Sequence, residues 1–240
     1  MHQEFVTVII PAYNEERIIQ RLVQDTLTAM NTYTKYFEVL VIDDGSNDRT
    51  LEKARAIRDP HLRVIQNEKN MGKTKTLLHG LATVKGDIVS FIDADYQYDP
   101  RDLPKVIETV KRSADLCGGY RTRRQDSPYR RFMSMGFNTF DRLLFGIQIR
   151  DVNCGLKAFR KKSFEAIHLR YLSTKWFIDT EILARYYHKG YIVAEVPIHH
   201  YERSEGISKV NGIKLAMETF VYGIMLKWDL MVHSKRSLPS

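Results

Sequence analysis

The chain opens on an apolar, β-branched run, Phe5 to Ile10, which stops at Pro11-Ala12-Tyr13-Asn14. Such a run bounded by turn residues predicts a buried strand. The period then changes. Ile18, Ile19, Leu22, Val23 and Leu27 recur at helical spacing, with Asn14 placed to cap the helix they predict. A second strand follows over Phe37 to Ile42, broken by Asp43-Asp44-Gly45-Ser46, and a short helix from Asp48 to about Ile57. Leu62 to Ile65 predicts a third strand, and Gly72-Lys73 leads into a helix over Thr76 to Val84. Asp87 to Ile92 is the next apolar strand. Strands alternating with helices of this length imply an α/β fold, a mostly parallel sheet with helices on both faces, up to about residue 115. Beyond it the pattern gives strands at Asp115–Tyr120, Leu156–Phe159 and Tyr191–Val196, a helix over Ile178–Tyr187, and a last helix from Gly212 to about His233.

Three of these strands end in polar residues. Pro11 to Glu15 follows the first, Asp43 to Ser46 the second, and Asp93-Ala94-Asp95-Tyr96-Gln97 the fourth. In an open α/β sheet such loops converge on one crevice at the carboxyl edge, where ligands bind. Two carboxylates at the end of a buried strand are costly unless something positive meets them. A hard divalent cation, Mg²⁺ or Mn²⁺, suits oxygen ligands and shares them with substrate phosphates. The simpler alternative makes Asp95 or Asp99 a helix cap before Asp102-Leu103, which accounts for Asp99 well and for Asp93 poorly. The combination reads as a nucleotide pocket: acidic groups for base and ribose, a metal for the diphosphate.

Composition narrows the partners. The 240 residues suffice for one domain, and a net charge of +8 favours ligands bearing phosphate: nucleotides, anionic membrane surfaces or nucleic acid. Cys117 and Cys154 lack metal-type spacing and read as reduced thiols of a cytosolic protein. No signal peptide and no uninterrupted apolar run of membrane-spanning length is apparent.

The motifs Pro11-Ala-Tyr-Asn-Glu15, Val41-Ile-Asp-Asp-Gly-Ser-Asn-Asp-Arg-Thr50 and Asp93-Ala-Asp-Tyr-Gln97 resemble those of the family 2 glycosyltransferases, which have the GT-A fold. Asp151-Val-Asn-Cys-Gly-Leu-Lys157 and Arg203-Ser-Glu-Gly-Ile-Ser-Lys209 narrow the resemblance to the dolichol-phosphate mannose synthase group and its polyprenyl-phosphate hexosyltransferase relatives. The resemblance runs from about residue 5 to 210. It implies that Pro11, Tyr13, Glu15, Val41 and Asp43 hold the nucleotide. Asp93 and Ala94 would line the donor site, Asp95 and Gln97 would bind the metal, and Arg203 and Lys209 would contact the phosphates. Arg121 and Arg130 fall where the family places arginines near the donor and acceptor phosphates. Two positions depart from the family pattern: Gly155-Leu156-Lys157 stands for Gly-Phe-Arg, which loses the bidentate fork of arginine, and Tyr96 stands where leucine is common.

The resemblance thus implies an inverting transfer of a hexose from a nucleotide sugar to a polyprenyl phosphate, with GDP-mannose and dolichyl phosphate preferred and UDP-glucose the nearest rival. A phosphate acceptor is already ionised near neutral pH and needs cations rather than a base. Were the acceptor a sugar hydroxyl, Asp179 or Glu181 would serve as base; their alternative is an ordinary acidic first turn. Gly72-Lys73-Thr74 hints at a P-loop, but Asn67 stands where that motif needs glycine, which excludes it. His199-His200 read as structural or acceptor-lining.

Arg121, Arg123, Arg124, Arg130, Arg131 and Arg142 interleave with Tyr129, Phe132, Met133 and Phe140. That pattern fits an amphipathic helix packed on the sheet, and also a basic face at a membrane. A nucleic-acid-binding module would leave the paired carboxylates unexplained, so no nucleic-acid partner is expected. The expected organisation is a catalytic domain over 1–210 and an amphipathic helix with its tail over 211–240. That helix would lie on the domain, on the cytosolic face of a membrane, or on a membrane-protein partner.

Overall fold

The computed structural model describes residues 3–122, 128–170, 177–201 and 212–234. The first strand, β1 (Val6–Ala12), is flanked by β2 (Phe37–Asp43) and β4 (Ile88–Ile92), both parallel to it, and β3 (Leu62–Gln66) lies outside β2. Strands β5 (Leu116–Arg121), β6 (Leu156–Arg160) and β7 (Val193–Ile198) complete a seven-stranded sheet of order β3-β2-β1-β4-β6-β5-β7. Strand β6 runs antiparallel to both its neighbours, while β5 and β7 pair in parallel. This is the α/β, mostly parallel sheet that the strand–helix alternation predicts, with the GT-A architecture that the motif resemblance implies. The reversed β6 was not predicted: its short apolar run carries no sign of direction.

Side-chain alternation divides the core into two layers. Val6, Val8, Ile10, Val39 and Val41 pack with Ile19, Leu22 and Val23 of α1 (Ile19–Tyr33) and with Val106, Ile107 and Val110 of α4 (Leu103–Arg112). Ile9, Leu40, Ile42, Val89 and Phe91 pack on the other face. Their partners come from α3 (Lys73–Thr83), α6 (Lys161–Ala166), α7 (Ile178–His188) and α8 (Gly212–Ser234). Each of these fully buried aliphatic side chains contributes about 1.5–3 kcal/mol, so the centre of the sheet fixes the register on which the strand ends depend. Helix α2 (Thr50–Ala56) follows β2, and α5 (Pro128–Phe145) precedes β6.

Some predicted details differ. Asn14 does not cap α1: the Glu15 carbonyl accepts from the backbone N–H groups of Ile18 and Ile19 (3.1 and 2.9 Å), while the Asn14 side chain accepts from the Asn47 N–H (2.9 Å). Helix α3 begins at Lys73, a turn earlier than predicted. Pro197 lies inside β7 rather than ending it, which an edge strand allows because one side of it has no ladder to supply. Both cysteines are buried free thiols.

Candidate active site

The loops after β1 and β2 are stitched together before any ligand is considered. Asn14 lies at φ 55°, and its N–H donates to Ser46 Oγ (2.9 Å). The Glu15 N–H donates to Thr50 Oγ1 (2.8 Å), and the Glu16 N–H to Asp48 Oδ2 (3.1 Å). Gly45 turns the second loop at φ 68°, where a Cβ would stand 2.6 Å from the Lys69 carbonyl carbon. No side chain fits there.

Asp43 and Asp44 share this loop but do different work. The Asp44 carboxylate accepts from Asn67 Nδ2 (2.8 Å) and from the backbone N–H groups of Met71 and Gly72 (both 2.9 Å). It builds the turn that starts α3. Asp43 is fully buried; its Oδ2 accepts from the Ser46 N–H (3.2 Å), and its Oδ1 has no hydrogen-bond partner among the described residues. A buried oxygen without a partner is costly and marks a place for an absent donor.

At the end of β4, Asp93 pairs with Lys73 Nζ at 2.6 Å. Gly155 lies so close that a Cβ there would come within 2.0 Å of Asp93 Oδ2. Ala94 is buried. Asp95 Oδ1 accepts from the Gln97 N–H (3.2 Å), and Asp95 lines a cavity of about 1190 Å³ with Asn14, Glu15, Arg21, Tyr96 and Tyr201. Tyr96, at φ 55°, donates its hydroxyl to Asp25 beneath the Arg21 guanidinium. The residue that departs from the family pattern thus forms a cavity wall. Gln97 Nε2 donates to the Tyr201 carbonyl (3.4 Å), so the side-chain oxygen Gln97 Oε1 is the end left for a cation. Asp99 does act as a cap, accepting from the Arg101 N–H (2.9 Å) at a 3₁₀ turn, Pro100–Asp102. Burial works against its charge, but hydrogen bonds from Arg101 and Tyr201 outweigh that and hold its pKa down to about 2. The cap reading therefore holds for Asp99 and leaves Asp93 and Asp95 to other work.

The remaining predicted residues divide. Pro11 is paired across β1 with Ile42, and Tyr13 is exposed beyond the strand. Val41 is 0% exposed in the core, so its side chain has no surface for a ligand. Arg121 is engaged by buried Asp151 through two bonds (2.6 and 2.8 Å). Arg130 lies on α5 with its side chain outside the described residues; Arg203 and Lys209 lie outside them altogether. Lys157, 0% exposed, pairs with Asp179 at 2.6 Å. Glu181 accepts from Arg185 Nε (2.9 Å) and from the Arg170 N–H (3.0 Å). His199 Nδ1 lies 3.0 Å from Asp102, and His200 packs on Tyr98. Sequence reasoning missed Lys73. Its Gly-Lys-Thr setting was weighed only as a nucleotide loop, although a lysine opening a helix beside the acidic strand end was the available signal.

Among the described residues no group of three or more His, Cys, Asp or Glu side chains is placed to hold a metal. The donors present, the Asp95 carboxylate and the Gln97 carbonyl, are hard oxygens. They fit a cation that completes its shell from phosphate and water.

Comparison with known proteins decides the family. The sequence model of glycosyl transferase family 2 matches residues 7–168. The chain belongs to that family. Among its relatives is the undecaprenyl-phosphate 4-deoxy-4-formamido-L-arabinose transferase of Shewanella sediminis, 34% identical over 215 residues, 88% of this chain and 63% of that protein. The protein of that name from Pectobacterium atrosepticum is 35% identical over 229 residues, 94% of this chain and 66% of that protein. The chain thus spans 63–66% of the length of these two relatives. In fold it matches glucosyl-3-phosphoglycerate synthase from Mycobacterium tuberculosis, solved with Mn²⁺, UDP and phosphoglyceric acid. That match has a TM-score of 0.69 at 19% identity, over 99% of this chain and 80% of that one.

Proposed function

We propose that this chain transfers a glycosyl group from a nucleoside-diphosphate sugar to a polyprenyl phosphate at a membrane surface. The observation that carries the reading is the pair of acidic strand ends on either side of β1. Asp43 has a buried carboxylate oxygen without a described partner, and Asp95 opens onto the 1190 Å³ cavity. In this reading Asp43 and Glu15 receive the nucleoside, with Pro11 and Tyr13 beside it, and Asp93 and Ala94 face the donor sugar. Asp95 and Gln97 would hold Mg²⁺ or Mn²⁺, whose chemistry is to offset charge on the nucleoside diphosphate as it leaves. Arg130, Arg203 and Lys209 are assigned to the phosphates, and Arg121, engaged by buried Asp151, to holding that edge of the site.

The ion pairs bear on the acceptor. A hydroxyl acceptor needs a carboxylate placed to take its proton. Asp179 is tied to buried Lys157, and Glu181 to Arg185 and a backbone N–H. Neither is positioned as a base, which supports an acceptor that is already an anion. The relatives' names include undecaprenyl phosphate, which supports the same class. They lend nothing to mannose or dolichol, so GDP-mannose with dolichyl phosphate stands as one member of the class, beside UDP-glucose.

The membrane part of the proposal rests on α8. It packs Leu226 and Leu230 inward and leaves Phe220, Val221, Ile224, Met225, Trp228 and Met231 exposed, and α5, which it contacts, exposes Leu143. An exposed apolar face of this kind fits an interfacial helix, and no described helix is long and apolar enough to cross a membrane. The cytosolic face is the side assigned.

The test is a transfer assay with undecaprenyl or dolichyl phosphate in detergent against GDP-mannose, UDP-glucose and further UDP-sugars. Metal-dependent appearance of a lipid-linked sugar with one donor is the expected result. Transfer only to a sugar hydroxyl would overturn the acceptor assignment.

A further inference from the structure

Three non-glycine residues among the described ones take the left-handed backbone region: Asn14 and Tyr96 at φ 55° and His168 at φ 46°. Asparagine and histidine visit this region more readily than other residue types, and a bulky aromatic does not. Tyr96 therefore needs its surroundings to hold it there. It stands between Asp95 and Gln97, so its backbone sets how those two side chains are directed relative to one another.

Contacts from two sides hold the kink. Within the loop, Asp95 Oδ1 accepts from the Gln97 N–H (3.2 Å), a bond that closes over Tyr96. The Gln97 backbone carbonyl accepts in turn from the Tyr201 N–H (2.9 Å). From the other side, the Tyr96 hydroxyl donates to Asp25 Oδ2, and the Arg21 guanidinium lies 4.9 Å from the ring centroid. Arg21 and Asp25 are one turn apart on α1 and approach each other at 3.7 Å. Burial raises the pKa of the phenol and the bond to Asp25 raises it further, so the hydroxyl keeps the proton that it donates. Helix α1 buries Leu22, Val23 and Leu27 in the core, which makes Asp25 a fixed point. A leucine, common at this place in the family motif, would have no atom to offer it.

We infer that Tyr96 is a positioning residue for the cation site: its phenol, tied to Asp25 of α1, holds the left-handed turn that brings Asp95 and Gln97 to one cation. Neither Tyr96 nor Asp25 ligates the ion in this arrangement. The inference rests on the reading of Asp95 and Gln97 as the cation's ligands. A tyrosine that only fills the cavity wall would matter for stability and not for metal affinity. A carboxylate that only adds negative potential would be missed for its charge and not for its hydrogen bond.

The experiment is a Mn²⁺ titration of the full chain, read by electron paramagnetic resonance, with the melting temperature of each variant measured beside it. Tyr96→Phe, which loses the hydroxyl and no charge, should bind Mn²⁺ about three- to tenfold more weakly, the worth of one hydrogen bond. Asp25→Ala should weaken binding by a similar factor. The double variant should be no weaker than either alone, because the two groups act through one bond. Asp25→Asn keeps an oxygen that accepts from the phenol and should bind Mn²⁺ nearly as the unaltered chain does. Lowered melting temperatures with unchanged Mn²⁺ affinity overturn the inference. So does equal weakening in Asp25→Asn and Asp25→Ala, which would assign the effect to charge. Mn²⁺ binding that is absent from the unaltered chain, or unchanged in Asp95→Ala, overturns the underlying metal reading instead.

Discussion

The carboxyl edge of the sheet has two halves that treat their carboxylates differently. On the β2–β1–β4 side, Asp43 has a buried oxygen without a described partner and Asp95 faces a cavity. On the β6–β5 side, Asp151 is taken up by Arg121 and Asp179 by Lys157. A buried charge that already has its partner is scaffold, because breaking the pair strands the survivor. A buried acceptor without a partner is tolerated where a ligand supplies the donor. The contrast separates residues that hold the site from residues that await a substrate, although both sets are acidic.

The contrast can be broken from the scaffold side first. Lys157→Ala leaves Asp179 buried without its cation and should cost about 3–5 kcal/mol of stability, read from the denaturant midpoint. A loss under about 1 kcal/mol would show that the Lys157–Asp179 pair is not scaffold. Asp141 on α5 sharpens the comparison next. Among the described residues only Thr180 Oγ1 is bonded to this buried carboxyl (3.0 Å), and burial, partly offset by that bond, pushes its pKa up to about 7. A carboxyl whose folded pKa lies above its unfolded value near 4 binds its proton more tightly when folded. Its effect on stability therefore declines as pH rises from about 4 to 7 and is flat above that. Asp141→Asn should remove that decline and be more stable than the unaltered protein at pH 8, by about 1–3 kcal/mol at most. Identical pH profiles would show that Asp141 does not titrate in this range. The smallest effect belongs to the ligand side: Asp43→Asn should weaken nucleotide binding about tenfold, or ~1.4 kcal/mol, while leaving the melting temperature nearly unchanged.

Much of this was legible in the sequence, and for physical reasons. Strands β1, β2 and β4 announce themselves because a strand covered on both faces must be apolar throughout, and its polar end then stands out. The family motifs lie at those ends. What was not legible depends on partners distant in the chain. Asn14 had the right residue type for a cap, but the second loop, some thirty positions on, competes for its side chain (Asn47 N–H, 2.9 Å). Lys157 read only as a lysine standing where the family often has arginine; its partner, Asp179 on α7, holds it at 2.6 Å. Asp44 matches Asp43 in type and differs only in the donors that the turn before α3 brings to it.

The central claim is that the open half of the edge binds a nucleoside diphosphate through Asp95 and a divalent cation. Calorimetry of GDP-mannose and UDP-glucose, each with Mn²⁺ and with chelator, tests it on the unaltered chain and on Asp95→Ala. The account predicts binding of one donor that requires the metal and is lost in Asp95→Ala while the fold persists. Donor binding indifferent to chelator and to Asp95→Ala would contradict it.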